Sequence, residues 1–224
     1  MKKLIDWLEK WVPRHTMLPI VVCFLLNCVV YVGAKALTAG AYHYDLSLPL
    51  DHQLPYVPAF VLIYVLAYVT WAVGFVLVAR EKPEDCEPLF GEMISKLFCF
   101  VIFVILPTTL ERPADTGSGF FGWGVGVIYF FDPPTALFPS IHCIENWVAW
   151  RGLFGRKTVG RGVKAAFLVA ALLVFLSTLL VKQHVLVDIP AAIVVSELGM
   201  FLSRKLRLGQ RYAAYWRSRE VKAP

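Results

Sequence analysis

The stretch Val163–Asp188, VKAAFLVAALLVFLSTLLVKQHVLVD, decides how this chain folds and where its chemistry sits. From Val163 to Val181 it is apolar almost throughout, close to the roughly 20 residues a helix needs to cross about 30 Å of hydrocarbon. Ser177 lies near the end of that run, and Lys182, His184 and Asp188 follow at once. Polar groups at the mouth of a hydrophobic segment are costly and need a reason to be kept.

The same pattern extends over the whole chain. Of 224 residues, 58% are hydrophobic and 17% charged, and the mean hydropathy is +0.63. That balance describes a membrane protein, not a soluble domain. Apolar runs from Met17 to Leu37, Val57 to Ala79, Ile94 to Leu110 and Val163 to Val181 read as spans. Two weaker ones run from Phe138 to Phe154, which holds His142, Glu145 and Asn146, and from Val187 to Leu202. The expected fold is therefore an all-α, polytopic bundle of six transmembrane helices. It forms a single integral membrane domain over residues 1–224, with an interfacial segment at 1–16 and a basic tail at 205–224. Within the first, Leu4–Val12 reads as a short amphipathic helix. No small-residue cleavage site follows it, so it does not read as a signal peptide.

Lys and Arg beside membrane spans are retained on the cytoplasmic side. Alternate loops of a six-span chain collect 19 of the 22 basic residues on one side, counting Lys96 with Arg80 and Lys82 in the second loop. Only Lys35, Arg112 and Lys182 fall on the other. Both termini are thus expected in the cytoplasm of a multi-pass cell-membrane protein. The charge of +6 is a topology signal; a basic tail also suits anionic lipid, and nothing in it suggests nucleic-acid binding. The five cysteines form no Cys-x-x-Cys pair and indicate neither a zinc site nor a disulfide framework.

On this topology Arg112, Ser140, His142, Ser177, Lys182, His184 and Asp188 all reach the extracytoplasmic face. A neutral imidazole attacks phosphorus, and a carboxylate on its other nitrogen fixes the tautomer and stabilises the cation that forms. His184 with Asp188 suits that pair. His142 suits protonation of a leaving group. The Arg112 guanidinium and Lys182 ammonium suit non-bridging phosphate oxygens. Ser140, at the start of a helix, offers a hydroxyl beside free backbone N–H groups, and Ser177 offers a second hydroxyl. The set calls for no metal and no cofactor. Glu145 and Asn146 suit either the orientation of His142 and an acceptor pocket or a polar contact between helices. The glycine-rich stretch Gly117–Gly126, with Phe120, Phe121 and Trp123, reads as a loop dipping into the headgroups and capping the site.

These stretches resemble the three signature motifs of the type 2 phosphatidic acid phosphatase superfamily. Pro139-Ser140-Ile141-His142 is similar to Pro-Ser-Gly-His, with Ile141 for glycine. Ser177, His184 and Asp188 keep the spacing of Ser-Arg-x5-His-x3-Asp, with Thr178 in the arginine position. Arg112-Pro113 fits the end of Lys-x6-Arg-Pro, with Ile105 in place of the lysine. The pattern is closest to the inositol phosphorylceramide synthase-like and sphingomyelin synthase-like branch. The resemblance implies a metal-independent lipid phosphatase or phosphotransferase, a phosphohistidine on His184, and His142 as acid and then base. Arg112, Ser140, Ser177 and Lys182 would hold the phosphate. The partners implied are a lipid phosphate and the bilayer. Hydrolysis is the preferred outcome, headgroup transfer the alternative, and a transporter or channel the competing class. A metal site built on His142, Cys143, His184 and Asp188 fits less well, since a Ser- and Arg-containing site suits an anion.

Overall fold

The structure, a computed structural model, describes residues 9 and 11–220. The amphipathic segment expected at Leu4–Val12 lies outside the described residues except for Glu9, Trp11 and Val12, as does the end of the basic tail beyond residue 220. Among the described residues the regular structure is all helical apart from one two-residue pairing of strands.

Helix α1 spans Arg14–Thr38 and α2 spans Val61–Ala79, the latter entered through a 3₁₀ turn at Pro58–Phe60. Helix α3 spans Glu87–Ile105, after a 3₁₀ turn at Pro83–Cys86. Two short helices follow, α4 at Gly119–Phe131 and α5 at Ile141–Gly152. Then come α6 at Arg161–Leu180, α7 at Asp188–Leu206 and the C-terminal α8 at Leu208–Glu220. Helices α1, α2, α3 and α6 are long and apolar enough to cross a membrane.

What those four helices leave uncovered is informative. Helix α1 buries a narrow stripe of Cys23, Val30 and Ala34 and exposes Leu18, Phe24, Leu25, Val29 and Val32. On α2 the buried line Tyr64, Ala67, Trp71, Phe75 and Val78 follows helical spacing, while Leu62, Val65, Leu66, Val69 and Val73 face outward. A helix apolar all round requires an apolar exterior as well as an apolar core. A rim of this kind suits hydrocarbon and would be an aggregation surface in water.

Helix α3 begins well before Ile94, where the apolar run was expected to start, because Glu92 and Lys96 are neutralised inside the protein. It stops at Ile105 because Pro107 cannot continue it and biases Leu106 away from helical geometry. Lys96, assigned to the cytoplasmic loop by its charge, is a fully buried helical residue. Helices α3 and α7 approach closely through small residues. A Cβ on Gly199 would lie 2.2 Å from Ser95 Oγ and 2.3 Å from the Gly91 carbonyl oxygen, so backbone takes the place of side chains there.

The glycine-rich stretch expected as a loop is instead helix α4. Gly117 and Gly119 adopt positive φ at its entrance (86° and 76°), which glycine takes without a Cβ penalty. The helix displays Phe120, Trp123, Phe130 and Phe131 outward.

The bundle has two chemically distinct ends. At one, Tyr212 of α8 donates to the His15 carbonyl, Arg217 pairs with Glu84, and Arg156 pairs with Asp85. At the other lie Lys35, Arg112 and Lys182, together with the segment 39–57. That segment is fastened by the parallel pairing of Tyr44–Asp45 (β1) with Thr108–Thr109 (β2) and by Val57 N–H to the Leu180 carbonyl.

Candidate active site

The second end assembles most of the residues singled out in the sequence. Helix α6 closes at Leu180, and Lys182 takes a left-handed conformation (φ 51°), which turns the chain back on itself. The amides of Gln183 and His184 both reach the Thr178 carbonyl, so the turn is stitched to the helix end. Thr178, in the position where the resembling motif has arginine, is buried and its hydroxyl donates to the Phe175 carbonyl.

Asp188 is the first residue of α7, and the residues between it and His184 are turn, not helix. The imidazole and carboxylate still meet, with His184 Nδ1 2.8 Å from Asp188 Oδ2. The same oxygen accepts the Val185 N–H at 3.1 Å. With Nδ1 committed to the carboxylate, Nε2 is the nitrogen left for a ligand. Both side chains are buried, and His184 reaches two cavities at once.

The first cavity, of about 310 Å³, is mixed in character, with Arg112, Lys182, Asp51, Glu111 and His184 among the residues that line it. Arg112 is held rigidly there. It donates from Nη1 to the Asp132 carbonyl at 2.6 Å and from Nη2 to Gln183 Oε1, and its guanidinium lies 4.6 Å from the centre of the Tyr129 ring. Lys182 Nζ donates to the carbonyls of Asp51 and Leu54, at 3.0 and 2.8 Å. Asp51 in turn accepts the Leu186 N–H at 2.8 Å, so the outer segment and the turn carrying His184 are one unit.

The second cavity, of about 300 Å³, is mostly apolar and opens beside α1 and α2. His142, Tyr68, Glu145, Asp132 and Phe131 line it along with His184. The two imidazole rings are 6.2 Å apart between centroids. His142 Nε2 lies 3.0 Å from the Tyr68 hydroxyl, and its ring packs on Tyr64 at 4.5 Å.

Ser140 is the N-cap of α5 and its Oγ accepts the Cys143 N–H at 3.4 Å. It is fully buried and orders the start of the helix that carries His142. Thr108 fixes the approach to that cap, accepting the N–H groups of Leu137 and Phe138 at 2.9 and 3.1 Å. Ser177 does not reach either cavity. It is fully buried and donates to the Val174 carbonyl of its own helix at 2.7 Å. Arg112, Lys182, His184, Asp188 and His142 are thus brought together, whereas Ser140 and Ser177 support the backbone beneath them.

Several participants were not singled out by the sequence. Asp132 lines the apolar cavity, accepts from Lys35 at 3.4 Å and meets the Tyr64 hydroxyl at 3.5 Å. Burial pushes its carboxyl up to about 6, against a smaller opposing pull from His184. Its signal was the Asp-Pro-Pro turn, which marks a chain reversal but not what the carboxylate meets. Gln183 and Tyr68 carry no sequence signal, since their roles depend on partners 71 and 74 residues away. Among the described residues, no group of three His, Cys, Asp or Glu side chains is placed to hold a metal ion.

Comparison with protein-family models, with curated proteins and with solved structures finds no match to this chain.

Proposed function

We propose that the protein is a metal-independent lipid phosphatase that works through a phosphohistidine, as its resemblance to the type 2 phosphatidic acid phosphatase superfamily implies. Six spans are proposed, with α5 and α7 completing the four long apolar helices, both termini cytoplasmic and the site at the extracytoplasmic face of the cell membrane. Helix α5, twelve residues long and so about 18 Å, reaches across only part of the hydrocarbon and is surrounded by the longer helices.

The observation that carries this reading is the position of His184, held by Asp188 through Nδ1 and shared between an apolar cavity and one that offers Arg112 and Lys182. A lipid phosphate matches both cavities, with its anionic group beside Arg112 and Lys182 and its chain on the apolar side. His184 Nε2 attacks phosphorus, and the phosphorus–oxygen bond to the lipid breaks. His142 gives its proton to the departing oxygen. Water then attacks the phosphohistidine, the phosphorus–nitrogen bond breaks, and His142 takes the proton from that water. Asp188 stabilises the imidazolium form of His184, and Arg112 holds non-bridging oxygens as charge builds on them.

A second reading has a specific observation in its favour. The apolar cavity on the His142 side has room for a lipid alcohol, which would accept the phosphoryl group in place of water and make the protein a headgroup phosphotransferase.

Inorganic phosphate release from phosphatidic acid, lysophosphatidic acid, phosphatidylglycerol phosphate and isoprenyl pyrophosphate, with purified protein in detergent, separates these readings. Release that persists with chelator and is lost in His184→Ala is the expected result. Transfer to an added lipid alcohol without phosphate release would establish the second reading. No turnover by either route would remove both.

A further inference from the structure

Below the two histidines lies a set of charges that the mechanism above does not use. Lys96 of α3 pairs with Glu92, one turn earlier on the same helix, and with Glu145 of α5 at 3.0 Å. Its ammonium also donates to the Cys23 carbonyl of α1 at 2.9 Å. All three charged side chains are essentially inaccessible to solvent. Two carboxylates against one ammonium leave one negative charge without a counter-charge among side chains closed off from the surface. A group in that position sheds charge by holding a proton.

Glu145 is the member of this triad that lines the apolar cavity, with His142, Tyr68 and His184. It follows His142 by three residues on α5, so the two side chains lie on neighbouring positions of one helix face. Tyr68 lines the same cavity as Glu145, and its hydroxyl is 3.0 Å from His142 Nε2. The Glu145 carboxyl, the Tyr68 hydroxyl and the His142 imidazole thus face one shared cavity.

We propose that Glu145 is a positioning residue that stores the proton used by His142 and passes it through the Tyr68 hydroxyl. This rests on the phosphohistidine reading. In the empty site the proton stays on Glu145, because an imidazolium in an apolar cavity is costly. When an anionic phosphate arrives, Glu145 gives its proton to the Tyr68 oxygen, and Tyr68 gives its own to His142 Nε2. The result is a carboxylate paired with Lys96, a neutral tyrosine and an imidazolium. His142 then protonates the leaving oxygen from its other nitrogen. In the second half-reaction the water proton enters by that nitrogen and returns through Tyr68 to Glu145, so the cycle closes without net loss.

The other groups around Glu145 fit this assignment. On α3 they are Glu92, Lys96 and Cys99; on α1, Cys23 and, at the cavity, Cys28 and Tyr31. On α2 they are Tyr64 and Tyr68. From the turn before α7 comes His184, already tied to Asp188, while Glu197 of α7 is engaged by Arg151 and Trp147. Lys96 is the one cation among them that is permanently placed to compensate Glu145.

The test is infrared spectroscopy of the full chain in detergent, read at the carbonyl stretch of a protonated carboxylic acid in an Asp132→Asn background so that the other raised carboxyl gives no band, together with the pH dependence of turnover. That parent is expected to show the band, and Glu145→Gln and Glu92→Gln to lose it, the latter because Lys96 and Glu145 then balance. Tyr68→Phe should keep the band. Glu145→Gln and Tyr68→Phe should each lower turnover on the order of 10²-fold and move the alkaline limb of the pH profile to lower pH. A band missing from the parent, or one that survives in Glu145→Gln, overturns the assignment. So does a loss of turnover by the same factor at every pH, which is what a purely structural contact would give. The infrared result locates the proton even if no tested lipid is turned over, so failure of the relay and failure of the phosphatase reading are distinguishable.

Discussion

Two pairs of ionisable residues, each four apart in sequence, meet different fates in this protein. His184 and Asp188 form a bond across a turn at the mouth of the bundle, and the imidazole keeps a nitrogen free toward two cavities. Glu92 and Lys96 form an ion pair within a helix and are sealed among α1, α3 and α5, where Glu145 joins them. The spacing is the same, so spacing does not separate a chemical pair from a buried electrostatic one. Access decides it. The first pair sits where α6 must stop and turn, which leaves room for a ligand. The second lies on the inner face of a continuous helix, where neighbouring helices exclude everything but a third side chain.

That contrast breaks most visibly at its exposed member. His184→Ala should reduce turnover of the preferred lipid phosphate on the order of 10⁴-fold or more, while the thermal unfolding midpoint stays close to wild type. Retained turnover would remove the nucleophile assignment. At the sealed pair the balance reverses, and the damage falls on stability. Lys96→Met leaves the buried Glu92 carboxylate without its counter-charge and should destabilise by about 3–5 kcal/mol, measured by unfolding in detergent. Combining it with Glu92→Gln and Glu145→Gln should restore much of that loss, because the charges are then removed together.

A smaller effect is expected where the outer site depends on planar geometry more than on charge. Arg112→Lys keeps the cation but cannot reach the Asp132 carbonyl and Gln183 together, so kcat/KM should fall on the order of 10²-fold. A steady-state assay showing an unchanged kcat/KM would return Arg112 to a structural role. The smallest effect concerns Asp132. Its carboxyl is raised to about 6 in the folded protein, so it favours folding only while protonated. That contribution is complete below about pH 4 and is lost as pH rises through about 6. Asp132→Asn should therefore unfold at a higher temperature than wild type above about pH 6, and the gap should close toward pH 4. A gap that stays constant across that range would mean that the carboxyl titrates alike in both states.

Four of the expected spans were legible because their helices are apolar all round, a property that composition alone reveals. Their ends were less so. The run from Ile94 concealed the first turns of α3, since Glu92 and Lys96 read as surface charges until their mutual neutralisation is seen. Helix α4 was hidden for the opposite reason, as its glycines argue against a helix by propensity. One of those glycines is required by contact, since a Cβ on Gly122 would lie 2.1 Å from the Gly117 carbonyl oxygen. Of the residues gathered around the two cavities, His142, His184, Asp188, Arg112 and Lys182 had been singled out by residue type and spacing. Ser140 and Ser177 share the same motifs but turn their hydroxyls to the backbone, a choice that depends on local helix geometry.

By itself the sequence determined that this chain is apolar enough to be built from membrane-length helices, that its charged residues fall largely between its apolar runs, and that an imidazole–carboxylate pair follows one of those runs. Each of these is a property of neighbouring residues, which local composition carries. Only the tertiary structure decided which polar groups share a cavity, because that depends on where separate helices cross. It put His184 between the space that holds Arg112 and Lys182 and an apolar one, took Lys96 from a loop to the protein interior, and joined Glu145 to Lys96 across the bundle. A buried charge has few stable positions, and its partners lie across the bundle, where no local pattern in the chain records them.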